Sequence, residues 1–146
     1  MVDSLIILFD QNEEAFTSNG LGALPDATSC IVTEERNGEY EVEMEYPLTG
    51  SHFHDIQKRR ILCVKPNPYD DPQPFRIYSI TKPINGIVTV HAAHLSYDTS
   101  GSIVKLFPAD AGSASAAMSY LKNFSVPSTP FTFFTNVGKT GTMSVP

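Results

Sequence analysis

The sequence predicts a mainly β fold, a small antiparallel β-barrel or sandwich with one short helix, and three observations carry that prediction. First, Phe75-Arg76-Ile77-Tyr78-Ser79-Ile80-Thr81-Lys82 and Ile87-Val88-Thr89-Val90-His91-Ala92-Ala93-His94 are rich in β-branched and aromatic residues, and Asn85-Gly86 between them supplies the positive-φ residues of a tight hairpin. Second, Ala27 to Glu35 and Tyr40 to Tyr46 repeat this arrangement around Arg36-Asn37-Gly38-Glu39, again with an Asn-Gly centre. Third, the second arm of that hairpin alternates with period two. Tyr40, Val42, Met44 and Tyr46 point one way, and Glu41, Glu43 and Glu45 the other, so one face is core and the other acidic.

The remaining elements follow in chain order. Leu5-Ile6-Ile7-Leu8-Phe9 is a continuous apolar run, the pattern of a strand buried on both faces, and Asn19-Gly20-Leu21-Gly22 then breaks any regular element. Pro47-Leu48-Thr49-Gly50 ends the acidic arm, and His52-Phe53-His54-Asp55-Ile56 is too short to assign. Arg60 to Lys65 is a strand, and Pro66 to Pro74 is a proline-rich loop in which neither helix nor central strand should persist. The first ninety-eight residues therefore read as all-β.

After Asp98 the character changes. Thr99-Ser100-Gly101-Ser102 marks a boundary, dividing the chain into 1–98 and 99–146. Ala114 to Phe124 is a helical pattern with Ala114, Ala117, Met118, Leu121 and Phe124 on one stripe and Ser113 or Asp110 as N-cap. Pro127 and Pro130 stop it. Phe131 to Thr135 reads as another strand, and Gly138-Lys139-Thr140-Gly141-Thr142 as a polar tail without a following partner, so the second unit is expected to be only begun here.

Composition bounds the function. A chain of 146 residues has room for one ordinary domain, or one plus part of a second, and can bury roughly two thirds of its unfolded surface. With 41% hydrophobic and 18% charged residues the balance is globular. No apolar run reaches the ~20 residues of a membrane span, and Ser4 to Phe9 lacks the basic flank and length of a signal peptide, so no membrane or export role is expected. Net charge of −6 argues against a surface that holds nucleic acid by neutralising phosphates. The dense basic cluster Lys58-Arg59-Arg60 runs straight into a strand and reads as a solvated rim. Cys30 and Cys63 lie in separate apolar strands and read as reduced core residues rather than a disulfide or a reactive thiol.

No catalytic constellation assembles. His52 and His54 lack a third ligand at zinc-like spacing, and His91 and His94 point to opposite faces of a regular strand. Gly138-Lys139-Thr140 imitates the end of a phosphate loop, but Phe133 stands where the first glycine must be. There is no Gly-x-Ser-x-Gly elbow and no His-Glu-x-x-His pair. No catalytic, metal or cofactor residue is expected. The row Glu41, Glu43, Glu45 differs in kind: its simplest role is to keep a strand face soluble and block edge pairing by modest mutual repulsion.

A set of short motifs adds a family expectation. Glu35-Arg36-Asn37-Gly38-Glu39-Tyr40-Glu41-Val42, Glu45-Tyr46-Pro47, Arg60-Ile61-Leu62, Phe75 to Ile80 and His94-Leu95-Ser96-Tyr97-Asp98, in this order and spacing, resemble the N-terminal region of siphophage and prophage tail hub proteins. That family is also labelled prophage endopeptidase tail, tail-associated lysin or phage minor structural protein. The resemblance covers Val32 to Asp98 well and extends loosely to Val137. It implies tube-like β-barrel domains of tail-tube or hub type, arranged in a trimer whose six barrels make a pseudo-hexameric ring at the distal end of the tail tube. It also implies docking to other tail proteins such as the distal tail protein. Longer members carry a C-terminal cell-wall hydrolase or fibre-like extension, the source of the enzymatic label, and no such residue maps onto this chain.

The sequence-level expectation is thus a structural virion component of the phage tail tip, assembled in the bacterial cytoplasm, not an enzyme, with Glu41, Glu43 and Glu45 as the candidate channel-facing row. The alternatives are a fragment of a tail-associated peptidoglycan hydrolase or endopeptidase whose catalytic part lies beyond the chain, or a β-barrel cell-wall-binding module. The absence of Trp and the expected burial of most Tyr and Phe count against the last.

Overall fold

A computed structural model of the chain describes residues 5–105, 111–138 and 140–143. It divides into two compact units, Met1–Leu95 and Ser96–Pro146. The first is a seven-stranded antiparallel sheet curled into a half-barrel, so the fold is mainly β and barrel-like.

Its strands are β1 (Ile7–Phe9), β2 (Gly22–Ala23), β3 (Ser29–Glu34), β4 (Tyr40–Pro47), β5 (Ile61–Val64), β6 (Gln73–Ile80) and β7 (Ile87–His94), in the spatial order β2-β1-β5-β6-β7-β4-β3. Both Asn-Gly hairpins form. Asn37 (φ 60°) turns the β3–β4 hairpin, and Asn85 (φ 51°) with Gly86 (φ 79°) turns β6–β7, where both central residues of a two-residue loop need positive φ. The inward side chains of each strand meet in one core: Ile6 and Leu8, Leu62 and Val64, Phe75 and Ile77, Val88, Val90 and Ala92, and Val42, Met44 and Tyr46. Leu24, Ala27 and Ile56 close it from the connecting loops.

Two details differ from the sequence reading because of context. Leu5 is 66% exposed, so only Ile7–Phe9 forms the first strand. Phe9 turns away from the core, level with Ile61 across the ladder, and Phe16 meets it edge-on at 5.3 Å, a second apolar layer under the loop that follows β1. The proline-rich loop also ends earlier than its composition suggests, since β6 begins at Gln73 and includes Pro74 opposite Cys63. β7 ends opposite Phe75, so the side of Pro74 facing that way has no ladder to satisfy.

The β6–β7 hairpin is not uniform. Ile84 and Ile87 exchange hydrogen bonds across the turn at 2.9 and 3.0 Å, the Thr81 amide donates to the Thr89 carbonyl at 2.9 Å, and the ladder then runs from Ile80↔Val90 to Ile77↔Ala92 with a shift between Ile77 and Ser79. The first arm therefore carries an extra residue twice, once near Lys82 and Pro83 and once at Tyr78. The second extra residue lets Ile80 join Phe75 and Ile77 on the core side although it is three positions beyond Ile77.

Loops are tied down by backbone-directed side chains. The Ser51 amide donates to Asp26 Oδ2 at 2.7 Å, and the buried Tyr46 hydroxyl donates to the Ser51 carbonyl at 2.5 Å. The Ser51 hydrogen bonds hold the Asp26 carboxyl below its ordinary pKa. Arg76 Nη1 donates to the carbonyls of Gln11 (2.9 Å) and Arg59 (2.8 Å). Arg60, half-buried, donates to the Asp55 carbonyl and to Asp55 Oδ1 at 3.1 Å, while Lys58 and Arg59 stay exposed.

The second unit holds α1 (Ala114–Phe124), the span its apolar stripe predicts, with Ser113 Oγ accepting from the Ala116 amide at 3.1 Å as N-cap; Asp110, the other candidate, lies outside the described residues. Around it are β8 (Ile103–Val104) paired with β10 (Ser125–Val126), and β9 (Ala111–Ser113) paired with β11 (Thr140–Met143). Two expectations are corrected here. Phe131 to Thr135 forms no strand and is irregular, flanked by the Thr129 and Thr135 hydroxyls, which accept from the amides two residues on at 3.2 and 3.1 Å. The polar tail is corrected as well: its end, Thr140–Met143, forms a strand, and its partner comes before it in the chain, not after.

Ile103, Val126, Phe134 and Val137 are all exposed in this unit, and within α1 only Ala117 is buried. Amide exchange is accordingly expected to be much faster in α1 than in β6 and β7, whose inward residues are sealed. Mass-spectrometric exchange on the intact chain checks this, and equal strong protection in both would show that the second unit is as stable as the first.

Candidate functional site

The alternation of β4 delivers the three carboxylates to the face away from the core. Glu43 and Glu45 are exposed, Glu41 is half-buried, and Val42, Met44 and Tyr46 between them are sealed. Because β4 lies inside the sheet, each glutamate has a neighbour on both sides: Thr33 and Ala93 flank Glu41, Ile31 and His91 flank Glu43, and Ser29 and Thr89 flank Glu45. The row is therefore set in a wall rather than along a free edge.

Two side chains join it that periodicity did not single out. The Tyr78 hydroxyl donates to Glu41 Oε2 at 2.9 Å, and His91 Nδ1 stands 3.7 Å from Glu43 Oε2, with the Tyr78 and His91 rings 6.2 Å apart. Burial raises the Tyr78 phenol pKa, and the Glu41 hydrogen bond and surrounding carboxylates add to it, so it remains a donor throughout the neutral range. The signal that finds this pair is register, which a single strand cannot report: His91 is opposite Glu43, and the extra residue in β6 brings Tyr78 level with it. Chemically the wall offers negative charge, one phenol and one imidazole, with no nucleophile positioned by a base.

The other sequence candidates fall apart as sites. His52 and His54 belong to a short 3-10 turn rather than an extended segment, and His52 Nδ1 pairs with Asp55 Oδ2 at 3.2 Å. Among the described residues no three His, Cys, Asp or Glu side chains gather as a metal-holding group. Cys30 and Cys63 are free thiols, and burial pushes both upward, Cys30 to about 11, which keeps them protonated at neutral pH. Among the described residues no helix is long and apolar enough to cross a membrane.

The expected burial of most aromatic residues is corrected: of the tyrosines only Tyr46 is buried, while Tyr69 is 94% and Phe134 87% exposed. The Tyr69 position follows from a loop that the Asn67 side chain organises, its Oδ1 accepting from the amides of Tyr69 (2.9 Å) and Asp70 (3.0 Å). Phe134 lies in the irregular stretch where a strand was expected.

At one end of β7, His94 stacks on Tyr40 with ring centroids 4.4 Å apart and meets Phe75 edge-on at 5.4 Å. Burial lowers the His94 pKa, so the native state binds its proton less readily than the unfolded chain. This contribution is fully present above the unfolded value of about 6.5 and is lost as pH falls from there through the folded value. Wild type should melt lower at pH 5 than at pH 7, by more than His94→Phe does, and thermal scans at both values check the difference. Asp26 and Asp55, whose pKa values are held down, lose their contributions only as pH falls below the ordinary carboxylate range.

Compared with family models, curated proteins and solved structures, the chain matches none of them.

Proposed function

We propose that this chain is a structural component of a phage tail tip, contributing a β-barrel domain to the hub ring at the distal end of the tail tube through which DNA passes. The observation that carries the reading is the carboxylate row Glu41, Glu43, Glu45 on β4, paired on both sides by β3 and β7 in a curled antiparallel sheet, on the face turned from the core. A ring that conducts DNA must not hold it, and a wall of carboxylates repels phosphates over a Debye length of about 8–10 Å. The order of the sequence motifs that resemble tail hub proteins supports the same reading. In it, the row faces the channel of a threefold ring in the full-length protein, other tail proteins dock on the ring's faces, and this segment performs no catalysis.

The test is a reconstruction of the assembled tail tip, with the 146-residue chain assayed in parallel. The row is expected to face the lumen, and the wild-type chain to leave duplex DNA unbound at physiological salt. Replacing all three glutamates by lysine should create salt-dependent retention. A row on the outer wall, or tight DNA binding by the wild-type chain, would overturn the reading.

A further inference from the structure

The seven-stranded sheet ends on two unlike edges. β2 is two residues long and closely followed by Pro25, which has no amide, so that edge offers almost no template. β3 is six residues long and pairs only with β4; among the described residues no backbone group bonds its other side. The Glu35 amide donates to the Glu39 carbonyl at 2.8 Å, which sets the phase of the ladder. The peptide groups of Ser29, Ile31 and Thr33 turn toward β4, and those of Cys30, Val32 and Glu34 turn outward. Natural edges are guarded by lysine, proline or an inward charge; on β3 such a group, Glu34 on the side of Cys30 and Val32, stands only at the last position, and Ser29 to Thr33 has none. Ile31, at the centre of that stretch, is 57% exposed.

We propose that this edge is an interaction surface for a second copy of the same chain, β3 pairing antiparallel with β3 about a twofold axis at Ile31. Paired residues must share a face, so a self-register has to centre on one residue. Centring on Ile31 sets Ile31 against Ile31, Cys30 against Val32, Ser29 against Thr33 and Thr28 against Glu34, and no like charges meet. Cys30 and Val32, both half-buried against the core, extend the apolar inner surface across the junction. The two glutamate rows stand three strand spacings apart, about 14 Å, beyond a Debye length of about 8 Å. A head-to-tail ring would need β3 to pair with β2, which has only two residues to offer, so closure is isologous. The pairing goes beyond the hub reading and does not rest on it, since a twofold pair and a threefold ring differ in stoichiometry.

The experiment is mass by sedimentation equilibrium on the intact chain from micromolar to near-millimolar concentration, for wild type, Ile31→Lys and Ile31→Cys. Wild type should dimerise with concentration, and Ile31→Lys, which sets two ammonium groups face to face, should stay monomeric, with a melting temperature unchanged at a dilution where wild type is also monomeric. If that variant melts early, Thr33→Lys on the same exposed face replaces it. Directly opposed, non-hydrogen-bonded positions have Cα atoms about 4.5 Å apart, within the ~4.4–6.8 Å range of a disulfide. Ile31→Cys should therefore crosslink under mild oxidation, while wild type, whose Cys30 faces Val32, should not. A wild-type monomer at every concentration, or a dimer insensitive to lysine in β3, would overturn the proposal. A trimer would overturn it as well while leaving the hub reading standing.

Discussion

Val42→Asp is expected to abolish folding of the first unit or to destabilise it by about 4 kcal/mol or more, a large share of the ~5–15 kcal/mol that holds a domain together. Val42 is 1% exposed, lies between Val32 on β3 and Ala92 on β7, and packs into the core with Met44 and Tyr46. A carboxylate there has no donor within the apolar interior and must either stay protonated or draw water into it. Its sequence neighbour supplies the control. Glu43→Gln keeps the shape of an exposed side chain and forfeits only a long contact with His91, so its effect should stay within about 0.5 kcal/mol. Thermal melts of both variants decide the matter, and small, equal shifts would mean that the two faces of β4 had been exchanged.

Gly20→Ala is expected to cost roughly 2–4 kcal/mol, combining left-handed backbone strain with a steric clash. Gly20 has φ +56°, and a Cβ there would lie 2.3 Å from the Leu8 carbonyl oxygen and 2.9 Å from Phe9 Cδ1. The carbonyl cannot simply move, because it accepts the Leu21 amide at 2.7 Å and belongs to the strand that carries Leu8 into the core. Gly86→Ala separates the two contributions. It has φ +79° but nothing within 4 Å of the added Cβ, so it should cost only the backbone strain of about 1–2 kcal/mol. Equal melting temperatures for the two variants would show that the loop after β1 yields freely.

What the sequence disclosed was whatever is encoded locally. Each Asn-Gly pair marks its turn because few other residues tolerate positive φ, and the Tyr40 to Tyr46 alternation identifies the faces of β4 because the pleat has period two. Ser113 and the 114–124 stripe define α1 for the same reason. What escaped was relational. Nothing within Thr140–Met143 says that its partner is Ala111–Ser113, and nothing within β4 says that Tyr78 and His91 will stand beside its glutamates. One clue was present: Phe75, Ile77 and Ile80 depart from period two, and that gap of three is the bulge. Phe131 to Thr135 misled because β propensity reflects fit to a half-buried pleated surface, and no such surface received it.

The two register slips in the β6–β7 hairpin also amount to a difference in contour length. Between the turn and Phe75 the first arm contains two more residues than the second, roughly 6–7 Å of additional chain at the rise of an extended strand. Two ribbons of unequal length joined at both ends cannot lie flat and straight: the longer must bow and coil around the shorter. This hairpin sits at the centre of the seven-stranded order, with three strands on one side of it and two on the other. Its mismatch is thus imposed on the whole sheet, as the keystone of an arch sets the curve of the stones beside it.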